Sequence, residues 1–430
     1  TRCSYLLPEG QLTKRLGSNE HKGLIQWDAA QPSAVLQAML TGKPYPIKVW
    51  LERSGNKFGV NGNAGSWVKA MENVDLIVHM YMYPTSFSMY ADILLPATEW
   101  LETNMLIESL NMVFARQAVA HVWETEDETL FWSKLIKKCA SLGNKNAQRA
   151  CDPNFMKDDL AYWDSMEELL DGRLKRINMT WKQLLANNPV TYMPYDKWNT
   201  YYVYKEKDPK TGLPKGFRTP SKKLELYGDV WITLGRTGKP YALQPLPPAS
   251  KDYDPLPYYL EPHENPTNEI GREFPLILTN GRIPVYHHGT LRNVPYLREI
   301  YPVPELWVNP VDAKKYGLKT GDWAWIESLR GKTRGKVLVT EGVSPGVLYQ
   351  ERFWFPETLT TPTRGWMEAN VNVLTKNDPP FNDVVGTYTL RGIQVRISKA
   401  PGAPEGIWQK PEDFKPWLPQ PTDTTPNPKL

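Results

Sequence analysis

At 430 residues the chain is too long for one ordinary domain and suits two or three. Hydrophobic residues make up 41%, ample for real cores, and 17 tryptophans, 22 tyrosines and 39 prolines suit a large, loop-rich enzyme or a carbohydrate binder. The net charge of +4 is small, and the basic residues are scattered rather than blocked, which argues against a nucleic-acid partner. The three cysteines, Cys3, Cys139 and Cys151, show no C-x-x-C spacing, so they support neither a disulfide framework nor a metal cluster built by this chain alone. Cys139 and Cys151 read as buried thiols. No apolar run reaches the length of a transmembrane helix.

In chain order, residues 33–42 predict a short helix, with Ser33 as N-cap and Gly42 as its stop. A strand over 46–51 ends in the turn Ser54-Gly55-Asn56. A helix over 65–71 and a strand over 74–80 follow, completing a βαβ unit of a parallel sheet. Further on, 124–139 and 165–185 read as helices, and 191–216 as loop with short strand. A proline-rich linker precedes Leu276-Ile277-Leu278, an apolar strand that runs into the polar turn Thr279-Asn280-Gly281-Arg282. After His287, His288 and Arg292 come a helix-like VDAKKYG unit and the turn Lys319-Thr320-Gly321-Asp322. WAWIES, GKVLVT, GVLYQERFW and IQVRIS are the clearest strands of a C-terminal β-rich region, and a proline-rich tail starts at Pro401.

Several of these phrases suit a phosphate-bearing ligand. A glycine turn after a strand lets backbone N–H groups approach phosphates, and the adjacent Arg282 offsets their charge. Asn370 and Asn372, in EANVNVL, each offer a donor and an acceptor. His287 and His288 lack a third ligand at zinc spacing. For each there is a plainer reading: a solvated arginine at a strand-ending turn, ordinary loop imidazoles, an asparagine turn. For Asp92 in ADILLPA, capping a turn is as well supported as ligand contact.

Taken together, TNGR, the histidine pair, NVNVL, GFRTPSKKLELY and ADILLPA resemble the molybdopterin oxidoreductases related to dimethyl sulfoxide reductase. The resemblance implies an α/β plus β-barrel protein. A Rossmann-like parallel-sheet domain (1–125) precedes a mixed central segment (126–240), a Pro-rich linker (241–272), a C-terminal six-stranded double-psi β-barrel (273–400) and a tail (401–430). It implies two molybdopterin guanine dinucleotides (bis-MGD) carrying molybdenum or tungsten, contacted by Ser54, Gly55, Asn56, Thr85, Asp92, Thr279, Asn280, Gly281, Arg282, one of His287 and His288, Asn370, Asn372 and Gly386. Where family members carry an acidic or amide residue to read guanine, this chain has HMYMYPTS, so Tyr81 or Thr85 would stand in. The aromatics Phe353, Trp354, Phe355 and Trp366 read as a funnel lining or as core, and Arg116 with Glu102 as an ion pair.

No metal-ligating residue is expected in this chain. The resemblance places that ligand, and any [4Fe-4S] cluster, in an N-terminal portion of the same catalytic subunit or in an iron–sulfur electron-transfer partner. The expected reaction is two-electron reduction, or oxygen or hydroxyl transfer, on a small molecule. GKPYPIK and ADILLPATEWLE are similar to the branch containing acetylene hydratase, pyrogallol transhydroxylase and catechol dehydroxylases, making reductive dehydroxylation of a catechol the leading reaction. The alternatives are a non-catalytic binding subunit, a tungsten-dependent hydratase and a sulfur or arsenic oxyanion reductase. The compartment stays open between cytoplasm and cell envelope.

Overall fold

The structure is a computed structural model. It describes residues 10–23, 30–53, 55–152, 163–198, 201–237, 252–257, 259–288, 291, 294–352, 366–389, 392–407 and 409–414. Ser54, Arg292, Arg391 and the aromatic run 353–355 lie outside the described residues. The chain divides into two compact units. The larger holds Thr1–His79, Tyr83–Ile93 and Leu226–Leu418; the smaller holds Met80–Met82, Leu94–Glu225 and Pro419–Leu430. This division does not follow the sequence boundaries at 125 and 240, because the N-terminal helices and the barrel share one set of internal contacts.

The βαβ reading holds, with shifted ends. Helix α1 spans Pro32–Thr41 and is capped by Gln31, whose side chain accepts from the Ala34 N–H at 2.7 Å. Ser33 is not the cap: Pro32 takes the first helical position, where its missing N–H is harmless, and the cap lies two residues nearer the N-terminus. Gly42, at φ 72°, ends the helix in the left-handed region. Strand β1 (Val49–Arg53), helix α2 (Lys57–Val60), helix α3 (Ala64–Met71), strand β2 (Leu76–Tyr81) and strand β3 (Ile93–Pro96) follow, and β1-β2-β3 form one sheet in that order. Ile77 O accepts from Asp92 N, and Tyr81 O from Ala97 N; the partners advance together, as in a parallel pair. Leu36, Met39, Phe58, Ala64, Trp67, Ile77, Phe87 and Trp366 make the core beneath.

In the smaller unit, β4 (Met105–Ser109) and β5 (Met112–Arg116) pair as an antiparallel hairpin, and the short β6 (Val190–Thr191) joins β5. Leu106 and Val113 pack on Leu169, Leu170, Leu174, Trp181 and Leu184. The helix expected over 165–185 is broken into Met166–Leu174 and Trp181–Ala186, with a 3-10 turn after the first. Asn178 turns left-handed at φ 53°, and the Thr180 hydroxyl caps a new helix start. Helix Glu128–Ser141 matches the earlier helical stretch with a later start, where Asp127 caps it. Cys139 and Cys151 are half-buried free thiols, a correction to the buried reading, because both sit at the solvent-facing ends of helices. Arg116 and Glu102 form no ion pair. Arg116 donates to Thr103 Oγ1, while Glu102 accepts from the backbone N–H groups of Glu99 and Val122 and from the Thr125 hydroxyl.

The C-terminal region closes into a six-stranded barrel: β7 (Leu276–Thr279), β8 (Glu305–Val308), β9 (Trp323–Ser328), β10 (Gly331–Val339), β11 (Val347–Gln350) and β12 (Ile393–Lys399), in the cyclic order β10-β8-β11-β7-β12-β9. Only β8 with β10 and β7 with β11 pair in parallel; the other four pairs are antiparallel. Exchanging the first three strands for the last three reproduces the same set of neighbours and the same parallel pairs. That internal two-fold is the double-psi arrangement, and periodicity along the chain carries no trace of it. Alternate residues of each strand fill the interior, among them Leu276, Leu278, Leu306, Val308, Ile326, Val337, Leu348 and Val395.

Candidate functional site

Strand β7 delivers Thr279-Asn280-Gly281-Arg282 to one end of the barrel, where its parallel neighbour β11 also finishes, with Tyr349 beside Thr279. Thr279, Asn280 and Gly281 are half-buried and Arg282 is exposed. A Cβ on Gly281 would come within 2.7 Å of the Tyr349 ring, so glycine is required there by protein packing. His287 and His288 are exposed, with their rings edge to face at 4.6 Å. The Arg282 guanidinium, then partial desolvation, His287 and Arg352 hold the His288 imidazole below its ordinary range. Four cationic or ionisable basic side chains therefore share this barrel end. Beneath the turn, Gln350 points into the barrel, fully buried, with neither amide atom hydrogen-bonded. The Thr333 hydroxyl is also buried and unbonded. Sequence reasoning missed both; the signal available was a polar residue at an inward position of each strand.

The second group surrounds the turn after β1. Gly55 has φ 112°, open only to glycine, and a Cβ there would meet nothing within 4 Å. Asn56 is buried. Its Oδ1 accepts from the Phe58 N–H at 3.2 Å, and its Nδ2 donates to Ser86 Oγ at 2.6 Å. Thr85 N–H donates to Ser88 Oγ at 2.8 Å, and Tyr81 and Thr85 are both buried. Asp92 exchanges two bonds with Ile77, its Oδ2 accepting from the N–H at 2.7 Å, which ties the start of β3 to β2.

Asn370 and Asn372 do not present their amides outward. Both donate to the Phe58 carbonyl, at 2.6 and 3.2 Å, and both are buried. Asn370 Oδ1 accepts from the Asn372 N–H, and Asn372 Oδ1 from the Thr375 hydroxyl. Their side chains tie the loop before β12 to α2. Above them Trp366 stacks on Phe58 at 4.5 Å and 7° between planes, so Trp366 is core and not a funnel. Gly386, at φ 69°, packs on Gln31 and His21 and gives its carbonyl to the Gln31 amide. The structure thus gathers Thr279 to Arg282 with the histidines, and Gly55 and Asn56 with the 85–88 segment; Asp92 sits against Ile77 at the start of β2, and Asn370, Asn372 and Gly386 pack on protein.

The barrel-end set fits a phosphate-bearing ligand: an exposed guanidinium, two imidazoles, a half-buried turn and an orphaned amide below it. Among the described residues no group of three or more His, Cys, Asp or Glu is arranged to hold a metal.

Residues 276–393 match the family described as molydopterin dinucleotide binding domain. The chain is 27% identical over 439 residues to dopamine dehydroxylase of Eggerthella lenta, covering 91% of this chain and 42% of that protein. It is 28% identical over 378 residues to acetylene hydratase of Syntrophotalea acetylenica, covering 84% and 45%. Thiosulfate reductase molybdopterin-containing subunit PhsA of Salmonella typhimurium is 26% identical, covering 74% and 39%. Among solved structures, acetylene hydratase from Pelobacter acetylenicus shares the fold, with a TM-score of 0.73 and 24% identity over 93% of this chain and 55% of that one. The chain therefore spans about half the length of the proteins it matches. It carries a molydopterin dinucleotide binding domain, and its homologues are molybdopterin-dependent enzymes of the dimethyl sulfoxide reductase family.

Proposed function

We propose that this chain forms the C-terminal portion of a molybdenum or tungsten bis-MGD oxidoreductase and holds the cofactor for two-electron reduction of a small substrate. The observation that carries the reading is the crowding of Arg282, His287, His288 and Arg352 at one barrel end, within the segment that matches the dinucleotide-binding family. Arg282 would pair with a phosphate, and the N–H groups of the 279–282 turn would add donors. Thr279 and Asn280 open that turn, and one of the histidines would donate to the bound ligand. Gly55 and Asn56, with Thr85, would form the second nucleotide cradle. When bound, the group supplies a metal centre that accepts or gives two electrons. The chain's own residues hold and orient it.

The metal ligand and any [4Fe-4S] cluster belong, in this proposal, to polypeptide outside this chain: an N-terminal portion or an electron-transfer subunit. Relatives matched over less than half their length support that division of labour. Among the described residues no helix is long and apolar enough to cross a membrane. Reductive dehydroxylation of a catechol is the proposed reaction, supported by the extent of the match to dopamine dehydroxylase. The test is anaerobic purification of the chain with its neighbouring subunits, metal analysis and assay of released guanine nucleotide. Catechol loss would then be followed with reduced viologen as donor. Metal with two guanines per chain and donor-dependent catechol loss are expected. Acetylene hydration without a donor, or turnover of a sulfur or arsenic oxyanion alone, would replace the proposed substrate. Cofactor-free protein would leave a binding subunit.

A further inference from the structure

His79 takes no part in the sites predicted from sequence, yet it joins two of their loops. It sits near the end of β2 and is 1% exposed. Its Nε2 lies 3.2 Å from the Gly55 carbonyl and its Nδ1 lies 3.0 Å from Ser88 Oγ. A carbonyl only accepts, so Nε2 carries the proton and donates. In the neutral ring Nδ1 must then accept from the Ser88 hydroxyl. That hydroxyl oxygen in turn accepts the Thr85 N–H at 2.8 Å. The bonds therefore run in one direction, from Thr85 N–H through Ser88 and His79 to the Gly55 carbonyl. Beside this relay Asn56 Nδ2 bonds Ser86 Oγ at 2.6 Å, giving a second strut between the same segments. Phe87 packs edge-on against the imidazole at 5.1 Å, which closes the bracket to water. Burial keeps the ring neutral, as the relay requires, although the bond to Gly55 acts the other way.

We infer that His79 is a positioning residue, clamping the Gly55-Asn56 turn to the Thr85–Ser88 segment and so setting the width of the cradle for a guanine nucleotide. This rests on the reading that those two loops face the dinucleotide. A buried polar relay is a demanding way to fill a strand position, since each member must be satisfied. Valine or leucine would pack there without that demand, but would leave the Gly55 carbonyl unpaired.

The test uses the full chain with GDP as probe. His79→Phe keeps a ring and removes both bonds, Ser88→Ala removes only the Nδ1 partner, and His79→Gln can donate to Gly55 and accept from Ser88. Hydrogen exchange is followed over 55–58 and 85–90, and GDP affinity by calorimetry. The expected result is exchange about tenfold faster in both segments and GDP binding about tenfold weaker for the phenylalanine variant, each the effect of one lost buried hydrogen bond. The alanine variant shows the same trend and glutamine restores both. Unchanged exchange in the phenylalanine and alanine variants overturns the clamp. Faster exchange with unchanged GDP affinity overturns its role in the cradle. Should wild-type protein fail to bind GDP, the cofactor reading of these loops falls and the positioning role falls with it, even with exchange altered. If the phenylalanine variant does not fold, the alanine and glutamine pair gives the same decision.

Discussion

Arg282 and His79 show how differently two basic side chains can be placed, one exposed at the barrel end and one buried in β2. Arg282 is exposed, and in the proposed function its guanidinium would pair with a phosphate. Replacing it with alanine should lower retained molybdenum and guanine nucleotide roughly tenfold, the effect of losing one charge-assisted bond; metal and nucleotide analysis of the purified variant measures this, and unchanged content removes Arg282 from the site. The same variant should raise the His288 pKa toward its ordinary value, read by NMR titration, because Arg282 is the largest influence holding it down. His79 is held at about 4 by burial, against an ordinary 6.5. Unfolded chains take up a proton near 6.5 that the folded chain refuses until about 4. Stability is therefore complete above that upper value and falls as pH drops through the window, by about 3 kcal/mol in all. Urea unfolding at pH 7.5 and 5 should show part of this loss in wild type and less of it in His79→Gln.

At the scale of elements, the contact of the α2–α3 turn with the loop before β12 is the most constrained. A Cβ on Gly62 would lie 2.1 Å from the Lys376 carbonyl, and Tyr388 accepts the Gly62 N–H at its hydroxyl. Backbone cannot yield as a side-chain tip can, so Gly62→Ala should destabilise by about 3 kcal/mol, the upper end of overpacking. Trp366→Ala removes the ring stacked on Phe58 and should cost about 4 kcal/mol. Denaturant midpoints measure both. If Trp366 lined an open funnel instead, its loss would be nearly silent in stability.

Across the larger unit, a part-buried ionic network joins the segment before β7 to the barrel. Arg330 and Glu264, with side chains 9% and 8% exposed, form an ion pair. Asp378 lies 3.0 Å from Arg330, and Lys376 lies within 4 Å of both carboxylates. Two cations face two carboxylates, so the group is neutral only when complete. Arg330→Ala would leave a buried carboxylate and should destabilise by about 3 kcal/mol; Arg330→Ala combined with Glu264→Gln should recover part of that. A single variant as stable as wild type would show the network to be dispensable.

The chain itself determined the local pieces: a βαβ run, a barrel rich in short strands, glycine where φ turns positive at Gly42 and Gly55, and a cationic phrase after β7. These are legible because propensity, alternation and turn chemistry act between near neighbours. Asn370 and Asn372 mark the limit. Their spacing looked like ligand chemistry, yet their partner is the Phe58 carbonyl more than 300 positions away. Likewise no local rule exposes the β7–β11 pairing, the orphaned Gln350, or the link from His79 to Gly55. Such features depend on which distant backbone groups folding brings within 3 Å, so only the tertiary structure decided which polar side chains are spent on the protein and which are left for a ligand.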